Sequence, residues 1–263
     1  MRILFLFATI ILLISCNTRS TSHLSDLDKI FDSVFKADEP GGAVLIAKDG
    51  KIIYEKGFGV EDITTKKAID NNTLFNVGSI SKTFVAFGIL QLAKENKLSI
   101  DDEIYKYFLD FKDSSIAKKI KIYHLLTHSS GLPDIRNVQG DSVFYLTAKD
   151  EENWAPIKKA DSLEFQPGER FNYSNPAFNG LALIIEKVTG RKWQEVVKEK
   201  IFTPSGMVTT VITDGAFPER SHGDQSLMFS PGSTGCTGCT RPSWSCEGSS
   251  CTILWMNAWA FGP

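Results

Sequence analysis

The string Phe75-Asn76-Val77-Gly78-Ser79-Ile80-Ser81-Lys82 sets a serine three residues ahead of a lysine. Where such a segment opens a helix, the two side chains stack on one face. A serine hydroxyl is a weak nucleophile until a neighbouring base takes its proton, and a partly desolvated lysine with a lowered pKa can be that base. The helix N-terminus adds backbone N–H donors and a favourable dipole for the oxyanion that attack creates. The same spacing also fits a serine N-cap followed by a surface lysine, a common way to start a helix. Two features favour the chemical reading. The pair follows a predicted hairpin and opens a strongly apolar helix, and a second polar string, Phe171-Asn172-Tyr173-Ser174-Asn175-Pro176, lies downstream ahead of another helix. Asn, Ser and Pro make that second string a turn on residue type alone, while Tyr173 adds a phenol that can hold a phenolate near a protonated lysine. His124 and His128 stand four apart on a predicted helix, as a zinc pair would, but Leu125 occupies the position a catalytic glutamate would take and no third ligand is in view. No metal is expected there.

The elements that must hold these groups are legible from periodicity. Leu24, Leu27, Ile30, Phe31 and Phe35 recur at helical spacing. Ala43 to Ala47 and Ile52 to Tyr54 are β-rich runs joined by Asp49-Gly50, a dipeptide that tolerates positive φ at both turn positions, so a hairpin is expected. Glu61 to Thr73 reads as polar connection. From Ser79, the residues Phe84, Phe87, Leu90, Leu92 and Ala93 predict a long, largely buried helix ending near Asn96. Further helices are expected over 120–128, over 177–189 with Gly190 as the stop, and from Trp193 to about Ile201 before Pro204.

With Ser79-x-x-Lys82 and Tyr173-Ser174-Asn175 in hand, the chain resembles the class C β-lactamase, D-alanyl-D-alanine carboxypeptidase and esterase family. The strings His124-Leu125-Leu126-Thr127-His128-Ser129-Ser130-Gly131-Leu132 and Ile201-Phe202-Thr203-Pro204-Ser205-Gly206-Met207 resemble scaffold segments of the same family. The resemblance implies an α/β (α+β) fold of the serine β-lactamase and transpeptidase type, a helical cluster beside an antiparallel sheet. It implies Ser79 as nucleophile, Lys82 and Tyr173 as movers of the proton, and Asn175 as a hydrogen-bond partner of the substrate amide. It further implies acyl transfer on a β-lactam, a D-alanyl peptide or an ester, with no cofactor.

The likeness runs roughly from Ile30 to Thr213, reaching toward Gly223. A third family motif, Lys-Thr-Gly or His-x-Gly, is not spelled after Asn175, and Ser233-Thr234-Gly235 is the nearest string. The family's C-terminal strands are therefore expected to be missing, with the two-stranded ribbon at 43–59 left with an unpaired edge. Every lysine lies at or before Lys200, while Cys236, Cys239, Cys246 and Cys251 crowd the final stretch, where Asp224, Arg241 and Glu247 are the only charges after Ser221. That composition predicts a tail over 223–263 that forms no packed module and reads as a frame disruption or truncation. A disulfide or zinc module built on Cys236 and Cys239 is the alternative. Residues 24–222 are then an incomplete hydrolase domain.

At the other end, Met1-Arg2, an apolar run from Ile3 to Ile14 and Leu13-Ile14-Ser15-Cys16 read as an export signal over 1–16 with a lipobox. Cys16 is the expected lipidation site and 17–23 a polar tether. The expected location is the periplasmic side of a bacterial envelope, with the membrane as partner only through the lipid. A net charge of −2 gives no electrostatic pull toward nucleic acid, which leaves a small molecule or peptide as the expected substrate. The competing expectation is a catalytically inactive envelope lipoprotein that binds peptidoglycan-type peptides.

Overall fold

A computed structural model describes residues 22–136, 148–212, 227–229 and 251–257. Cys16, Cys236, Cys239, Cys246 and the Ser233-Thr234-Gly235 string lie outside the described residues. The chain divides into two units, one from the N-terminal part through Phe75 together with the C-terminal strand, the other from Asn76 through Phe229.

In the first unit, helix α1 (Ser22–Val34) precedes strands β1 (Gly42–Lys48) and β2 (Lys51–Phe58). The hairpin forms where the sequence predicts it, with Asp49 at φ +51° and Gly50 at φ +72°. These values fit the mirror-image turn whose twist matches the flanking strands. Pairing is antiparallel from Gly42 opposite Phe58 to Lys48 opposite Lys51, with an irregularity between Ile46 and Ala47. The apolar stripe of α1 rests on this ribbon: Leu27 and Phe31, with Phe35 just past the helix end, pack on Val44, Ile46 and Phe58, and the Phe31 and Phe58 rings lie 5.3 Å apart. Tyr54 and Lys56 both donate to the Asp28 carboxylate, at 2.7 and 2.9 Å, and tie the helix to β2.

Three elements differ from expectation here. The stretch read as polar connection contains a small antiparallel pair, β3 (Val60–Asp62) and β4 (Lys67–Ala68), before the short strand β5 (Phe75–Asn76). The edge of β1 that the sequence reading left open is paired. Strand β8 (Cys251–Asn257) runs antiparallel to β1 along its full length, in the order β2-β1-β8. The physical reason lies in local composition, because Thr252 to Met256 is a run of β-formers able to satisfy the exposed N–H and C=O groups of β1.

The second unit is mostly helical. A 3-10 turn over Gly78–Ile80 leads into α2 (Ser81–Lys94), followed by α3 (Ser114–Lys119), α4 (Ile122–Leu126), α5 (Asp150–Trp154), α6 (Asn175–Thr189) and α7 (Trp193–Val197). Beyond α7, a turn of π-helix spans Lys198–Phe202, and β6 (Val211–Ile212) pairs antiparallel with β7 (Leu227–Phe229). The core joins Ile89 and Leu92 of α2 with Ile122 and Leu125 of α4, Trp154 of α5, and Leu181, Ile184 and Ile185 of α6, all essentially without solvent exposure. The helix α6 ends where Gly190 was read as its stop, at φ +69°.

Helix α2 is less buried than its composition suggests. Val85, Gly88, Ile89 and Leu92 form its inner face, while Phe87 and Leu90 are 45% and 49% exposed. The helix expected over 120–128 is shorter at both ends because Ile120 is extended and His128 takes φ +55°. Among the described residues, no helix is long and apolar enough to cross a membrane.

Candidate active site

Ser79 sits inside the 3-10 turn that precedes α2, and Lys82 is the second residue of α2 proper. The turn is shaped by two local bonds. Gly78 stands at φ +50° with its N–H donated to the Asn76 side chain at 2.7 Å, and Ser81 Oγ donates to the Gly78 carbonyl at 2.6 Å. Ser79 does not act as a helix cap, since Val77 and Ile80 hold the cap positions of the two helical segments. Its side chain is exposed, and its Oγ accepts from Lys82 Nζ at 3.2 Å.

Tyr173 reaches the same oxygen from far along the chain. Its hydroxyl donates to Ser79 Oγ at 2.8 Å, and Lys82 Nζ stands 5.2 Å from the centre of its ring. Lysine and tyrosine thus converge on the serine from two sides. Ser174 then caps α6, its Oγ accepting from the Ala177 N–H at 3.3 Å, with Pro176 in the first turn. This capping explains why the 171–176 string reads as a turn by residue type while Tyr173 within it reaches Ser79. Asn175, half-buried, is the first residue of α6 and lies two residues beyond Tyr173.

The tyrosine loop lies on the segment that follows α4. Asn172 N–H donates to the His128 carbonyl at 2.8 Å, Gly168 N–H to the Ser129 carbonyl at 2.8 Å, and Glu164 N–H to the Gly131 carbonyl at 2.8 Å. Gly131, at φ +72°, has no space for a side chain, because a Cβ there would stand 2.1 Å from the Phe165 carbonyl oxygen. The Asn172 side chain is in turn held by Glu164 at 2.9 Å.

The two histidines are occupied by backbone bonds. His124 Nδ1 accepts from the Lys121 N–H at 3.0 Å and helps start α4, while His128 Nδ1 accepts from the Ser174 N–H at 3.1 Å. Among the described residues, no group of three His, Cys, Asp or Glu side chains is gathered as metal ligands. Burial, and then the Lys82 ammonium, push the His128 imidazole below its usual value; burial, and then Lys121, do the same for His124. The His128 ring lies 4.5 Å from Tyr173, 5.0 Å from Phe178 and 5.6 Å from Phe171, centre to centre. Sequence reading places His128 in a scaffold segment with no metal expected at its pairing with His124, and nothing in that i, i+4 relation marks its contact with Tyr173.

Penicillin-binding protein 4* of Bacillus subtilis (strain 168) is 33% identical over 198 residues, which are 74% of this chain and 43% of that protein. Among solved structures, the octameric penicillin-binding protein homologue from Pyrococcus abyssi matches with a TM-score of 0.66 at 27% identity, over 80% of this chain and 54% of that one. EstCE1, described as a hydrolase with promiscuous acyltransferase activity, matches with a TM-score of 0.61 at 25% identity, over 72% of this chain and 52% of that one. The chain spans less than half the length of the curated relatives it matches. The sequence model of the Beta-lactamase family matches residues 27–225, and the chain belongs to that family.

Proposed function

We propose that this chain is a serine hydrolase that works through an acyl-enzyme on Ser79. The observation that carries the reading is the convergence of Lys82 Nζ, at 3.2 Å, and Tyr173 OH, at 2.8 Å, on one exposed serine oxygen. In the resting arrangement both groups donate to Oγ. For attack, one of them must first lose its proton, as the lysine amine or as a phenolate balanced by the lysine ammonium. Ser79 Oγ then bonds to the carbonyl carbon of the substrate while its proton passes to that base. Collapse of the tetrahedral adduct breaks the bond to the leaving amine or alkoxide, which takes the proton back through the same pair. Water attacks the ester next, gives a proton to the pair, and the acid departs as Ser79 regains its hydrogen.

The oxyanion would be received by the Ser79 N–H, which belongs to the first turn of a helical segment and so lacks an intrahelical acceptor. Asn175 is read as the partner of the substrate amide. The substrate classes we propose are a β-lactam, a D-alanyl peptide or an ester, and their common feature is an acyl carbonyl open to attack from the exposed Ser79 face. Labelling with a fluorescent penicillin and with an activated aryl ester tests the reading. A mass adduct on the peptide containing Ser79, absent in Ser79→Ala, supports it. Reversible binding of peptidoglycan-type peptides with no adduct from either reagent favours the non-catalytic alternative.

We further propose that the chain acts at the bacterial envelope, held by a lipid on Cys16. This rests on the apolar run ending in Leu13-Ile14-Ser15-Cys16.

A further inference from the structure

We infer that His128 is a positioning residue for Tyr173, gripping the backbone on both sides of the tyrosine and stacking its ring on the phenol; the inference rests on the reading of Tyr173 as a proton relay at Ser79. Three contacts carry it. The His128 carbonyl accepts the N–H of Asn172 at 2.8 Å. Its Nδ1 accepts the N–H of Ser174 at 3.1 Å. Its ring lies 4.5 Å from the Tyr173 ring at an interplanar angle of 32°. One residue therefore holds the 171–172 and 173–174 peptide units that flank Tyr173 and also meets its ring.

The backbone of His128 is shaped for this. At φ +55° it lies in the left-handed region, which residues other than glycine rarely adopt. In that conformation the carbonyl and the imidazole both reach the tyrosine loop. The two bonds at Ser129 and Gly131 continue the same template toward Gly168 and Glu164, so His128 ends a four-residue edge along which the loop is laid. Precision at this point matters for the chemistry, because a displacement of about 1 Å in a reacting group can cost about a hundredfold in rate.

The charge state of the imidazole fits the role. An Nδ1 that accepts from Ser174 must be unprotonated, and burial together with Lys82 keeps the ring below its usual pKa. The titratable groups facing His128 are Lys82 of α2 and Tyr173 of the loop, while Phe178 of α6 and Phe171 add uncharged rings. Protonation would turn the Nδ1 acceptor into a donor and release the Ser174 peptide unit.

Two variants separate the contacts. His128→Phe keeps a ring and loses the acceptor, whereas His128→Asn keeps an acceptor and loses the ring. The first readout needs no turnover: the phenol-carbon NMR resonance of Tyr173 in the carbon-13 tyrosine-labelled chain, followed with pH beside the His128 ring signals. Expected is a Tyr173 shift that titrates with the His128 midpoint in the parent and is lost in His128→Phe. The second readout is acylation by a fluorescent penicillin, expected to fall about tenfold to a hundredfold in either variant while the half-saturating concentration is held. A Tyr173 resonance indifferent to His128 protonation, or acylation of both variants at the parental rate, overturns the inference. If the parent itself forms no Ser79 adduct, the hydrolase reading falls, and the resonance alone decides the positioning in the same two directions.

Discussion

Tyr173→Phe removes one oxygen and leaves the rest of the site in place. The ring still stacks on His128 at 4.5 Å, and Lys82 Nζ still lies 5.2 Å from the ring centre. What disappears is the 2.8 Å bond from the phenol to Ser79 Oγ. Tyr173 is 48% exposed and Ser79 is open to solvent, so water replaces the lost donor and folding stability should change by no more than about 0.5 kcal/mol. The rate should change far more. A positioned acid–base group contributes about 10²–10⁴-fold, or roughly 2.7–5.4 kcal/mol in the barrier. Lys82 remains 3.2 Å from Ser79 Oγ, where the proposed mechanism makes it a second proton acceptor, which points to the lower part of that range. We therefore expect acylation of Ser79 by a fluorescent penicillin to slow by about a hundredfold, read as the rise of the labelled mass with time, with Tm unchanged. An acylation rate within about threefold of the parent, in a variant of unchanged Tm, refutes the assignment of the phenol to proton transfer.

Three further outcomes are expected. Gly131→Ala sets a Cβ 2.1 Å from the Phe165 carbonyl at φ +72°, and should lower the free energy of urea unfolding by at least about 2 kcal/mol and slow acylation; Gly78→Ala, with nothing within 4 Å of the added carbon, should cost only the backbone term of about 1–2 kcal/mol. The lowered imidazoles of His124 and His128 bind fewer protons folded than unfolded, so their contribution is complete above the unfolded value near 6.5 and is lost as pH falls through the folded values. Tm should accordingly decline from pH 7 to pH 5, and His124→Asn should flatten part of that decline. Mass spectrometry of the membrane fraction should find an acylated Cys16 at the mature N-terminus; a soluble product beginning elsewhere removes the proposed anchor.

The local elements of this protein are written in its residues. Asp49-Gly50 determines the hairpin because few other dipeptides accept positive φ twice, and Gly190 stops α6 for the same reason. Ser79 and Lys82 were legible as a pair because three residues of helical chain bring them together without help from the rest of the fold. Helix ends are less legible: Ile120 is extended with its carbonyl accepting from the Ile104 N–H, and His128 is left-handed with its carbonyl accepting from the Asn172 N–H, partners that the local sequence does not name. Phe87 and Leu90 show the limit of composition, because periodicity marks residues able to be buried and does not say which face finds a partner. The meeting of Tyr173 with Ser79, across 94 residues of sequence, rests on the edge from His128 to Gly131 that holds the tyrosine loop by its backbone. Backbone hydrogen bonds of that kind leave almost no mark on side-chain identity, apart from the one glycine whose Cβ would collide, so only the tertiary structure could decide where the phenol would stand.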